Sequence, residues 1–137
     1  MDKKSCHVLV VDDNHINRQF LASALSQAGH KNTTASSGKH ALELSESIDF
    51  DLILMDVQMP GLNGIETTEQ LKSSDKNSQT PVIAVSAEPI SESDSHHFTS
   101  ALLKPVHIDN VINCINKFCT ASRFFDHNKA LLASHND

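Results

Sequence analysis

Five side chains in this 137-residue chain could act together as a chemical group: the paired acids Asp12 and Asp13, the acid Asp56, the hydroxyl of Ser86 and the ammonium of Lys104. Each follows a short apolar run. The stretch FDLILMDVQMPGLNG, Phe50 to Gly64, is the clearest case, because an apolar run reading as a buried strand carries one acid, Asp56, at its end. A charge there is costly unless something nearby is paired with it. Three acids brought together cannot all stay ionised without a counter-charge. Two candidates exist, Lys104 and a divalent cation. Mg²⁺ takes a few carboxylates together with water and a substrate phosphate. A carboxylate flanked by a metal and an ammonium, with a hydroxyl opposite, suits phosphoryl transfer onto the carboxylate itself. The protein's work in such a step is to position groups and to neutralise charge on the transferred oxygens. Each residue also has a plainer reading alone: Asp12-Asp13 as helix-starting acids, Asp56 as a turn acid, Ser86 as a loop hydroxyl, Lys104 as a solvated charge. Their joint placement favours the chemical reading.

That placement depends on the elements between them. His7–Val11, Asp51–Met55 and Pro81–Val85 read as buried strands, Asn32–Ser36 as a more polar strand near an edge, and Ser100–Leu103 as a very short fifth strand. Asn14–Ala28 reads as a helix with Ile16, Phe20, Leu21 and Leu25 on one stripe and Gly29 as its stop. Ser37–Ser47, with Ala41, Leu42 and Leu44 facing inward, Ile65–Ser73 and Ile108–Phe118 read as further helices, and Pro89–Phe98 as a short one. Strands alternating with helices predict a parallel sheet covered on both faces. In such α/β sheets ligands bind beyond the carboxyl ends of the strands. The five residues all fall there.

Composition narrows the partners. The length suits one domain. The net charge of −6 argues against direct binding to a nucleic-acid backbone. The nine histidines are scattered, and the only adjacent pair, His96-His97, lacks the HExxH setting of a zinc site. Cys6, Cys114 and Cys119 are odd in number and have no C-x-x-C spacing, which predicts three reduced thiols in a reducing compartment. No run is long enough to span a membrane and no signal peptide opens the chain.

With these residues in place, VLVVDDN, LILMDVQMPGLNG, AVSA and LLKP resemble, in order, the motifs of the receiver domain of two-component response regulators. The resemblance covers roughly residues 6–120. It implies a flavodoxin-like doubly wound (βα)5 fold with sheet order 2-1-3-4-5. It also implies that Asp56 is the phosphoacceptor, and that Asp13, Asp56 and the backbone carbonyl of Gln58 bind Mg²⁺, with Asp12 acting through water. Lys104 would pair with Asp56 and then with the phosphoryl group. Ser86 would donate a hydrogen bond to a phosphoryl oxygen. Gln58 and Glu88 hold the positions that tune hydrolysis of the aspartyl phosphate. Such a domain catalyses its own phosphorylation and dephosphorylation, and its partner is a histidine kinase or a histidine phosphotransfer domain.

DDNHINRQF is similar to receivers within hybrid sensor histidine kinases, so a phosphorelay in that setting, on the cytoplasmic side, is expected. Residues 121–137 form an extension. FDHNKALL in it resembles the opening of a phosphotransfer domain, and the plainer reading is a packed helix with Phe124, Phe125, Leu131 and Leu132. Two departures stand out. The family's usual aromatic switch position is Ala101, and the interval from Ser86 to Lys104 is about four residues short, which predicts a short fourth helix. The alternatives are a stand-alone single-domain regulator and a receiver-like binding module that is not phosphorylated. A phosphatase with an aspartate nucleophile would need a second acid two residues after Asp56, where this chain has Gln58.

Overall fold

The computed structural model describes residues 5–119. Five parallel strands form one sheet in the order β2-β1-β3-β4-β5. The elements in chain order are β1 (His7–Val11), α1 (His15–Gln27), β2 (Lys31–Ala35), α2 (Gly38–Ser47), β3 (Leu52–Asp56), α3 (Gly64–Lys72), β4 (Val82–Ser86), α4 (Glu92–Ser95), β5 (Ser100–Leu103) and α5 (Ile108–Cys119). The flavodoxin-like doubly wound fold expected from the sequence is therefore present.

Alternation along the central strands builds two cores. Val8 and Val10 of β1, Leu52 and Leu54 of β3, and Ile83 and Val85 of β4 face Leu21 and Leu25 of α1 and Val111 and Ile115 of α5. Leu9, Val11, Ile53 and Met55 point the other way, onto Ala41 of α2 and Leu71 of α3. Every residue of β3 and β4 is buried. This explains why those strands read as continuous apolar runs rather than alternating ones.

Local signals end the helices where physical chemistry expects. Asn14, Ser37 and Asn63 cap α1, α2 and α3 by accepting backbone N–H bonds with their side chains. Asn63 and Glu66 complete a reciprocal capping box. Gly29, at φ +90°, takes the left-handed conformation after α1, and the His30 N–H returns to the Leu25 carbonyl.

Three expectations change. The stripe proposed for α1 does not pack as a unit: Leu21 and Leu25 are buried, whereas Ile16 is 73% and Phe20 43% exposed. Both lie in the first two turns of α1, beside the carboxyl end of the sheet, where no neighbouring element among the described residues covers them. The strand ends shift by one residue, so that Asp56 and Ser86 are the last residues of β3 and β4 rather than their successors. The thiols are not all free. Cys6, just before β1, and Cys119, at the end of α5, form a disulfide, and only Cys114 remains a buried free thiol. The last helix runs back to the start of the first strand and joins residues 113 apart in sequence, a closeness that spacing alone cannot reveal.

Helix α4 is a single turn, four residues long, in place of the ten-residue segment outlined from the sequence. It has no buried residue, as its polar composition predicts. His97 Nε2, just beyond it, lies 3.3 Å from Glu69 Oε2 of α3. The extension at 121–137, and the two readings of it, lie outside the described residues.

Candidate phosphoacceptor site

At the carboxyl edge of the sheet, β1, β3, β4 and β5 deliver the residues singled out above. Asp56 closes β3 and is 1% exposed. Its backbone pairs with Val85 of β4 in register. The turn that follows requires Gly64 at the start of α3. A Cβ there would collide with the Asp56 carbonyl and the Val57 Cα, so only glycine lets the helix approach the strand end.

The carboxylate oxygens of Asp56 have different surroundings. Oδ1 accepts hydrogen bonds from Lys104 Nζ at 3.2 Å and from the Gln58 N–H at 3.1 Å. Oδ2 carries none of the hydrogen bonds among the described residues, and it is not sealed from solvent. Oδ2 is thus the more open of the two oxygens. Burial, followed by the negative charge of Asp12, pushes the Asp56 pKa up from 3.8 to about 6, against the opposing pull of Lys104 and the Gln58 N–H.

Asp12, 2% exposed, and the exposed Asp13 follow β1. Ligand oxygens of Asp12, Asp13 and Asp56 lie within 4.8 Å of one another. Asp12 Oδ2 is 4.0 Å from Lys104 Nζ. The acid pair is held in shape by the residues after it: the Asn14 N–H donates to Asp12 Oδ1 at 2.8 Å, and Arg18 Nη1 donates to the Asp12 carbonyl at 2.8 Å. Three convergent carboxylates, two of them buried, suit a hard cation that takes oxygen ligands, so the residues fit Mg²⁺.

Lys104, half-buried, follows β5, and its peptide bond to Pro105 is cis. The Lys104 N–H donates to the Ser86 carbonyl, which ties the two strand ends together. Ser86 closes β4 and is 1% exposed. Its hydroxyl is engaged with the adjoining loop: it donates to the Glu88 carbonyl at 2.6 Å and accepts from the Glu88 N–H at 3.2 Å and Gln58 Nε2 at 2.9 Å. Glu88 meets Ser86 through its backbone in these bonds. Ala101 lies mid-strand on β5, in register with Ala84. Ala101 is exposed and lines a cavity of about 190 Å³ with Ile90, Ser95 and Phe98.

Sequence reasoning did not anticipate three features here. Arg18 shapes the acid loop through a backbone carbonyl, a partner no spacing reveals. The Gln58 side chain reaches Ser86 and also accepts from the Ala87 N–H at 3.1 Å. Phe20, Pro105 and Val106 line a groove of about 440 Å³ running up to Asp12 and Lys104. Cys6, Cys119 and Asp51 form a second cluster of potential metal ligands at the opposite edge of the sheet, but there the two sulfurs are bonded to each other.

Residues 8–116 match the response regulator receiver domain family. The chain is 38% identical over 88 residues to the autoinducer 1 sensor kinase/phosphatase LuxN of Vibrio campbellii; the match covers 64% of this chain and 10% of that protein, so the chain spans only a small part of LuxN. It is 31% identical over 118 residues to the polar-differentiation response regulator DivK of Brucella ovis, covering 81% of this chain and 94% of DivK. Its fold superposes with a TM-score of 0.76 on the response regulator TrrA of Thermotoga maritima in complex with Mg²⁺-BeF, at 27% identity over 82% of this chain and 98% of that one.

Proposed function

This chain belongs to the response regulator receiver domain family, and on that premise we propose that it is a phosphoacceptor in a two-component phosphorelay, taking a phosphoryl group from a phosphohistidine onto Asp56. The carrying observation is the contact of Lys104 with Asp56 Oδ1 at 3.2 Å, inside a set of three carboxylates, with Oδ2 left open. In the transfer, an Asp56 carboxylate oxygen forms the new bond to phosphorus as the phosphorus–nitrogen bond to the donor histidine breaks. The imidazole leaves with the electron pair and takes up a proton from solvent.

The chain's own groups divide the work. Asp13, Asp56 and the Gln58 carbonyl would hold Mg²⁺, with Asp12 acting through water. Mg²⁺ held there would supply charge neutralisation on the phosphoryl oxygens. Lys104 keeps one carboxylate oxygen oriented and then offers its ammonium to the phosphoryl group. The Ser86 hydroxyl would donate to a phosphoryl oxygen, and Gln58 and Glu88 would tune hydrolysis of the aspartyl phosphate.

A donor histidine must be carried in by another protein. Phe20, Pro105 and Val106 line the groove beside the acid crevice, with Ile16 exposed one turn before Phe20 on α1, and these side chains would seat the apolar face of a kinase or phosphotransfer helix. The similarity to the sensor kinase/phosphatase LuxN supports a place within a hybrid histidine kinase. The nearly full coverage of DivK supports instead a single-domain regulator, and we keep it as the second reading.

The test is intact mass after incubation with Mg²⁺ and a small acyl-phosphate donor. One phosphoryl adduct that needs Mg²⁺ and is lost in Asp56→Asn is expected. No adduct, with Mg²⁺ still binding, would make the chain a silent receiver-like module.

A further inference from the structure

The Ser86 hydroxyl is saturated. A hydroxyl has one proton and two lone pairs. Here the proton goes to the Glu88 carbonyl, and the lone pairs take the Glu88 N–H and Gln58 Nε2. No proton is left for an oxygen in the crevice. To donate to a phosphoryl group on Asp56, the hydroxyl must rotate and give up the Glu88 carbonyl.

Gln58 opposes that rotation. It lies two residues past Asp56, in the loop between β3 and α3. Its side-chain amide crosses to the loop after β4 and is held there at both ends: Nε2 donates to Ser86 Oγ at 2.9 Å, and Oε1 accepts from the Ala87 N–H at 3.1 Å. Its own backbone N–H donates to Asp56 Oδ1. One residue therefore touches the acceptor carboxylate through its main chain and the buried hydroxyl through its side chain. Neither end of the amide has another partner among the described hydrogen bonds. Gln58 itself is exposed, so water can replace its bonds once the bridge opens, and the bridge can be left at modest cost.

We propose that Gln58 is a latch, a positioning residue that holds the Ser86 hydroxyl in the resting arrangement and sets how readily Ser86 turns to engage a phosphoryl group. The proposal deepens the phosphoacceptor reading and rests on it. Opening the latch costs the two bonds of the amide and frees the loop after β4, so events at Asp56 reach that loop through Gln58.

The experiment uses the full chain in four forms: unaltered, Gln58→Met, Ser86→Ala, and the two combined. Methionine keeps the length of the side chain and removes both polar ends. Binding of beryllofluoride in the presence of Mg²⁺ is measured, together with hydrogen exchange at the Ala87 amide without either. Thermal melts establish that all four forms fold. Gln58→Met should raise beryllofluoride affinity roughly three- to tenfold, the range expected for the loss of one or two exposed hydrogen bonds, and should speed Ala87 exchange. In the Ser86→Ala background the same substitution should change affinity less than about twofold, because the latch has nothing to hold. Equal gains in both backgrounds, or no gain in either, overturn the latch and leave the phosphoacceptor reading intact. Absence of beryllofluoride binding in every form, with no Asp56-dependent adduct, overturns both.

Discussion

Lys104 Nζ and Asp56 Oδ1 meet at 3.2 Å, although 48 residues separate them in the chain. The contact joins the ends of β5 and β3, with β4 between them. It supplies the counter-charge that the buried carboxylate needs, yet it does not fully offset burial and the nearby Asp12, and the Asp56 pKa stays at about 6.

That imbalance makes stability depend on pH. Folded Asp56 holds its proton more tightly than unfolded Asp56, whose pKa is near 3.8. Its contribution is therefore fully favourable below about pH 4, is lost as pH rises from about 4 to 6, and is then a constant penalty. Asp56→Asn should raise stability at about pH 7 by roughly 1–3 kcal/mol and by almost nothing near pH 4. Denaturant unfolding at both pH values measures this. A gap of the same size at both would assign the effect to something other than the Asp56 charge.

Lys104→Met tests the other side of the pair. The loss of its ammonium removes both the orientation of Oδ1 and the charge facing the incoming phosphoryl group. Labelling of Asp56 by a small acyl phosphate should slow by about 10²-fold. A normal rate in the variant would show that Lys104 has only a structural role.

The exposed rim separates docking from chemistry. Phe20→Ala should leave labelling by a small acyl phosphate within about twofold, because Phe20 makes no contact with Asp56 among the described hydrogen bonds and ion pairs. Transfer from a phosphohistidine protein should fall by about tenfold or more, the effect of truncating one apolar anchor. Parallel losses with both donors would count against a docking role.

Asn77 is the structural counterpart. It sits in the loop between α3 and β4, yet it is wholly buried. Its amide donates to the Ser45 and Ile48 carbonyls, and its oxygen accepts from the Phe50 N–H and the Thr80 hydroxyl. All four of its bonding positions are used. Asn77→Ala orphans several buried partners and should cost about 2–4 kcal/mol with the labelling chemistry intact. Urea unfolding measures it; a cost below about 1 kcal/mol would show that water replaces the amide.

The disulfide offers a final check. It closes a loop of more than a hundred residues, and the chain-entropy account assigns such a link up to about 4–5 kcal/mol. Cys6→Ser or a thiol reductant should lower the melting temperature without affecting the spacing of the acid crevice. An unchanged melting temperature on reduction would mean that packing alone holds Cys119 beside Cys6.

Much of the fold is legible in the chain because burial on two faces leaves its mark directly on composition. The β3 and β4 runs are apolar throughout since helices cover both sides of them, and an acid or hydroxyl ending such a run has to sit at the sheet's edge. Hence Asp12, Asp13, Asp56, Ser86 and Lys104 could be assembled from their order alone. Helix caps and the stop at Gly29 are equally local and equally readable. Pairing over long separations is not local, and periodicity carries no record of it. Only the folded sheet brought Cys119 back to Cys6 and buried Asn77 against the end of α2 and Phe50. Only the tertiary structure left Ile16 and Phe20 uncovered and spent the Ser86 proton on the Glu88 carbonyl. The side-chain types are a property of the chain; which hydrogen bond each one makes is decided by the neighbours that folding supplies.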